Sequence, residues 1–238
     1  MTARRDTLLP LILAFAAGYV EAICFIGLFR TFATFITGTL MVLVIELVES
    51  EPGYLNKAVV FFSFFACTLL WVVLFRAWSG AAALRVPVAL FTEALLILLF
   101  MALGMEFEPL THAASLGTLI VSVAAVFAMS LHSTIFFVLL KNTAPTHFMT
   151  GNLTNFTVGL VDMLRARRGS AAAGSEAQDQ AAFNAWHFPS VISAFVVGVG
   201  LGAAGFEAYG FVVLAVPALA VGAAAFYRYR RELAADTP

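Results

Sequence analysis

Two groups of residues in this sequence are of types that could do chemistry. The first is titratable: Glu21, Glu93, His132 and His147, each set among apolar neighbours. A carboxylate inside a membrane helix costs roughly 2.5–3.5 kcal/mol on insertion scales, so it must be protonated, paired or turned to a cavity. Histidine titrates near neutral pH. A Glu21–His132 pair could therefore relay a proton, and Glu93 and His147 could bind or pass on an ion. The second group is polar but uncharged: Thr37-Gly38-Thr39, Thr150-Gly151-Asn152 and, one helical turn on, Asn155. Hydroxyl and amide groups beside a glycine can hold a polar solute. The plainer readings are a buried hydrogen bond that fastens two helices, and capping or close packing by small polar residues.

Other chemistries find no residues. There is no phosphate-binding G-x-x-x-x-G-K-[ST], no H-E-x-x-H and no G-x-S-x-G. No nucleophile–base pair or metal cluster is visible, so no enzyme, no cofactor and no metal site is expected. Gly200-Leu201-Gly202-Ala203-Ala204-Gly205 fits a dinucleotide fingerprint in letters only, because no strand precedes it. Cys24 and Cys67 both sit in apolar runs and read as packing residues.

The elements that position these residues follow from composition. Of 238 residues, 62% are hydrophobic and 11% charged, with a mean hydropathy of +0.96. Soluble domains are about 45–50% apolar and about 25% charged. This excludes a soluble globular enzyme and a disordered chain. A net charge of -1 leaves no basic footprint for nucleic acid. An all-α integral membrane protein remains, one membrane domain over 1–238 with the lipid bilayer as its first partner.

A helical span needs about 20 apolar residues. Segments 8–29, 58–75, 87–104, 114–140, 188–206 and 211–227 qualify. Segment 31–48 is short and interrupted by Thr37-Gly38, and 143–164 is the most polar. A hydrophilic stretch, 165–187, reads as a solvated cytoplasmic loop. The A-x-A pattern at Ala14-Phe15-Ala16 does not make the first segment a cleaved leader, because the apolar run continues to Phe29.

The two doubtful segments align with each other at an offset of 113: Phe35, Thr37, Gly38, Leu40, Leu47 and Val48 fall on Phe148, Thr150, Gly151, Leu153, Leu160 and Val161. The chain therefore reads as two copies of one unit, 8–104 and 114–229. If all eight segments cross, the repeat is parallel, 4+4, and Arg30, Arg76, Arg85 and Lys141 lie outside. If the doubtful pair enters and leaves on one side, only Arg30 and Lys57 lie outside and the other eleven basic residues lie in the cytoplasm. Cytoplasmic loops carry the excess Lys and Arg. Six spans plus two re-entrant segments fit better, with both termini cytoplasmic. Three spans per half give an inverted 3+3 repeat, the plan of many transporters. Residues 40–48 would then rise about 13 Å as a half-helix, and the helix starts near Thr39 and Asn152 would turn their positive ends to mid-membrane. Ala194, Gly198 and Gly202 form a small-residue stripe for close helix packing, within the chain or in a homodimer.

Ala17-Gly18-Tyr19-Val20-Glu21-Ala22, the Thr37-Gly38 pair, Thr92-Glu93-Ala94-Leu95-Leu96 and Met149-Thr150-Gly151-Asn152-Leu153-Thr154 resemble the YoaK-like family. Its members are small bacterial inner-membrane proteins with a domain of unknown function. The resemblance covers about residues 8–229 and implies a multi-pass protein of the bacterial inner membrane. It departs from the family pattern at Thr39, where Asn is usual, and at His132-Ser133-Thr134, where Gln-Asn-Ala is frequent. The departures imply a ligand of its own.

The sequence thus points to a small secondary transporter or channel for a polar or anionic small solute, its site at the paired Thr-Gly positions. The alternative is a non-transporting membrane protein that binds or stabilises partner membrane proteins.

Overall fold

The computed structural model describes residues 8–140, 149–167 and 175–235. Among them there are helices and no strand. The helices are α1 (Leu8–Gly27), α2 (Ile36–Val48), α3 (Tyr54–Arg76), α4 (Arg85–Phe107), α5 (Leu116–Thr134), α6 (Met149–Arg167), α7 (Ser175–Tyr209) and α8 (Ala215–Ala235). Five apolar stretches are long enough to cross a membrane. They are Leu8–Gly27, Tyr54–Arg76, Ala82–Phe107, Leu116–Leu139 and Trp186–Ala234, the last made of most of α7 and of α8.

Local chemistry sets the ends. Pro10 and Pro87 each stand in the first turn of a helix, where no partner for N–H is lost. Ser115 caps α5, accepting from the Thr118 amide at 3.2 Å. Phe29 and Arg30 end α1 in the left-handed region, at φ 56° and 59°, an arrangement that non-glycine residues adopt only when neighbours hold them. Gly210, at φ +66°, turns α7 into α8.

The rods pack in an orderly way. α1 packs on α7 as α5 packs on α3; α2 on α3 as α6 on α7; α4 on α5 as α8 on α1; and α4 lies against α8. Exchanging the two halves of the chain returns the same pairings. The directions are also readable. Gly27 and Gly104 both lie against the Phe211 ring, so α1, α4 and α7 end at one end of the bundle and α8 begins there. The Asn56 amide reaches the Leu28 carbonyl at 3.4 Å, so α3 begins where α1 ends. Thus α1 and α5, α3 and α7, and α4 and α8 run opposite to each other.

The core lies on α1 and α5, whose residues are mostly buried, whereas α3 turns Phe62, Phe65 and Val73 outward. The α1–α7 seam is closed by glycine: a Cβ at Gly18 would strike the Phe195 carbonyl, one at Gly198 the Phe15 carbonyl, and one at Gly202 would stand 2.6 Å from the Tyr19 carbonyl oxygen. The stripe of Gly198 and Gly202 is therefore used inside the chain.

Two expectations need correction. Thr37-Gly38 does not interrupt a helix. The irregular stretch is 28–35, and the pair sits in the first turn of α2; Thr150-Gly151 likewise stands in the first described turn of α6. A first turn tolerates glycine because its amides have no intrahelical partner to lose. The stretch 165–187 is not a loop throughout: α6 runs to Arg167 and α7 begins at Ser175. Its Ala, Glu and Gln residues are good helix formers, and no proline interrupts them before Pro189.

Candidate functional site

The irregular stretch 28–35 is held on every side. The Glu21 carboxylate, buried in α1, accepts from the Ala33 amide at 3.2 Å and from both the amide and the hydroxyl of Thr34. Thr39 fastens it from α2, donating to the Phe32 carbonyl at 2.8 Å and accepting from the Phe32 amide at 3.0 Å. From α3, Asn56 donates to the Thr31 hydroxyl at 3.0 Å. Lys57, fully buried, donates to the Phe29 carbonyl at 2.6 Å and pairs with Glu46 of α2 at 2.9 Å. These bonds hold Phe29 and Arg30 in their left-handed conformation.

The stretch thereby dips beside α1 as far as Glu21, and α2 climbs back to the end from which it started. The start of α2 and the start of α6 meet there. Thr37 and Thr150 line the same cavity of about 790 Å³ between α2, α3, α5, α6 and α7. Thr34, Thr68, Ser133 and Thr134 add hydroxyls to its wall, and Phe35, Phe64, Phe137 and Phe195 add rings. Among the described residues no charged side chain lines it. The Ser133 hydroxyl is buried to 4% exposure and, with that of Thr68, has no hydrogen-bond partner among the described residues. A π-helical turn, Ile135–Leu139, ends α5 at this wall and carries Phe137 and Val138 into it. Such turns recur at functional sites because they release backbone groups from the α ladder.

The remaining polar residues lie around the cavity. His132 pairs with Glu93 through its Nδ1, 2.7 Å from Oε1, both side chains essentially removed from solvent. His132 thus takes Glu93 as its ion-pair partner, while Glu21, expected to pair with it, stays within its electrostatic reach. Glu21 is engaged by the backbone of 33–34, while α4 packs directly on α5 and brings Glu93 to the imidazole. The second carboxylate oxygen of Glu93 has no partner among the described residues.

Of the residues singled out in the sequence, Thr37 and Thr150 face the cavity. Thr39 is spent on holding the 28–35 stretch. Gly38 stands against the Phe32 ring, which a Cβ would approach to 3.1 Å. Asn152 is buried and bonded, and Asn155 is exposed. Gly151 belongs to the same first turn as Thr150, and His147 lies outside the described residues. Among the described residues no group of three His, Cys, Asp or Glu side chains gathers as a metal site would require.

Sequence reasoning missed Lys57, Asn56, Ser133 and Thr68. Lys57 had a signal, a lysine six residues from the edge of an acidic stretch at Glu46, Glu49 and Glu51. Ser133 and Thr68 had none, because hydroxyls are common in membrane helices.

The family described as "Protein of unknown function (DUF1275)" matches residues 9–227. No curated protein and no solved structure matches the chain.

Proposed function

The chain belongs to the DUF1275 family of proteins of unknown function, and from that premise we propose that it is a small secondary transporter or channel whose solute occupies the cavity between α2 and α6. The observation that carries this reading is that Thr37 and Thr150, 113 positions apart in sequence, line one cavity. Two corresponding first turns, one from each half, converge there, as the broken helices of transporters converge on a central site.

The exchangeable helix pairings and the opposed directions of corresponding rods support an inverted repeat. The return of α2 to its starting end supports a re-entrant segment, and counting α7 and α8 separately gives six crossings. Arg76, Arg85, Arg228, Arg230 and Arg231 gather at one end of the bundle, and Glu49, Glu51, Glu106, Glu108 and Glu207 at the other. The positive-inside rule places the basic end in the cytoplasm, with both chain termini. The partner-binding alternative loses its main motive, since Gly198 and Gly202 are already packed against α1.

The experiment is permeation into proteoliposomes, read by stopped-flow light scattering under gradients of erythritol, sodium gluconate or betaine. We expect at least one solute to enter faster than in protein-free liposomes, and Thr37→Trp or Thr150→Trp to abolish the gain while the protein stays monodisperse. Control-level entry for all three solutes, or filled-cavity variants that keep full flux, overturns the reading.

A further inference from the structure

We propose that the cavity is built for a monocarboxylate with an apolar body, its carboxylate received at the start of α2 and by Ser133. The proposal rests on the cavity being the transport site and names the substrate class.

Four observations carry it. First, α2 has no side-chain cap. The amides of Ile36 and Thr37 have no hydrogen-bond partner among the described residues, and both residues line the cavity. Free amides at a helix start, with the positive end of the helix dipole behind them, favour an anion. Second, Ser133 brings a buried, unpartnered hydroxyl to the same cavity from α5. A buried donor left unmet is costly, and a ligand oxygen would recover that cost. Third, Met149 and Thr150 of α6 face the cavity too, and Thr150 adds a further hydroxyl from the other half of the chain. Fourth, the wall carries the rings of Phe35, Phe64, Phe137 and Phe195, placed to cover an apolar body.

The charge balance points the same way. A carboxylate turned into the cavity would favour a cation, and neither nearby acid lines it. Glu21 is turned onto the Ala33 and Thr34 amides and Glu93 onto His132. Glu21 also shows what this stretch of backbone binds: its two amides just before α2 are already filled by a carboxylate, and the next free ones face the cavity.

Benzoate is the probe, because benzamide and benzylammonium share its shape with neutral and positive charge. Binding of radiolabelled benzoate to the protein in nanodiscs is measured at fixed ionic strength by equilibrium dialysis, with the other two as competitors. We expect saturable benzoate binding, competition at least tenfold weaker by benzamide and by benzylammonium, and about a tenfold loss of benzoate affinity in Ser133→Ala. Thr37→Val keeps the backbone amide and is expected to lose less. A monodisperse protein that binds no benzoate, or binds benzamide or benzylammonium as well, overturns the proposal. So does a Ser133→Ala variant with unchanged affinity. The assay needs no flux: binding without permeation removes the transport reading alone, and permeation of erythritol without benzoate binding removes the monocarboxylate alone.

Discussion

His132 Nδ1 lies 2.7 Å from Glu93 Oε1, and neither side chain reaches solvent. Removing one partner of a buried pair strands the other, at about 3–5 kcal/mol. His132→Leu should therefore destabilise strongly, and His132→Leu with Glu93→Met should recover most of the loss. Reversible unfolding in mixed micelles checks this. Additive losses in the double variant would mean that the two residues do not act as a pair.

The α1–α7 seam gives an internal control. Gly198→Ala drives a methyl group into the Phe15 carbonyl, whereas a Cβ at Gly200 meets nothing within 4 Å. We expect Gly198→Ala to cost about 1–3 kcal/mol, as overpacked sites do. Gly200→Ala should be neutral or slightly stabilising. Thermal scans of the two purified variants distinguish them, and equal midpoints would contradict the close approach of the helices.

Glu21 acts on the 28–35 stretch. Glu21→Ala leaves the Ala33 and Thr34 amides without their acceptor, a loss of about 1–3 kcal/mol. Glu21→Gln keeps a carbonyl oxygen and should lose less. Per folded molecule, Glu21→Gln should retain solute flux. A folded Glu21→Gln protein with no flux would instead make this carboxylate part of the coupling chemistry.

Topology can be read with single cysteines after Cys24 and Cys67 are replaced by alanine. Glu51, Ser79 and Thr111 are exposed. In intact cells a membrane-impermeant thiol reagent should label Glu51→Cys and Thr111→Cys and leave Ser79→Cys untouched. Labelling at Ser79 alone overturns this topology, in favour of eight full crossings or of the reverse orientation. Arg30 is exposed as well, and opposite labelling of Arg30→Cys and Glu51→Cys is incompatible with a re-entrant α2.

Much of this was legible in the sequence. Hydropathy finds the long rods because each must bury its surface or turn it to lipid, and the offset of 113 finds Thr37 and Thr150, which line one cavity. What escaped depends on rotation about a helix axis. Glu93 and His132 are 39 positions apart, and only the packing of α4 on α5 turns them toward each other. Thr37 and Thr39 carry the same side chain two positions apart, yet one faces the cavity and the other fastens Phe32, since two residues span more than half a helical turn. The Lys57–Glu46 pair escaped because a lysine at a span's edge reads as a solvated anchor, and here it is fully buried.

The return of α2 to its own end has an electrical meaning. Its 13 residues reach about 20 Å at 1.5 Å per residue, and its inner end, Ile36 and Thr37, opens on the cavity, a recess in a hydrocarbon layer about 30 Å thick. Where water and polar groups enter such a recess, the insulating layer is thinner and the membrane voltage falls over the part that remains. A charge crossing that remainder gains about 2.3 kcal/mol for each 100 mV. An anion carried through this protein would thus feel nearly the whole resting potential in one short step, pushed toward the acidic end of the bundle.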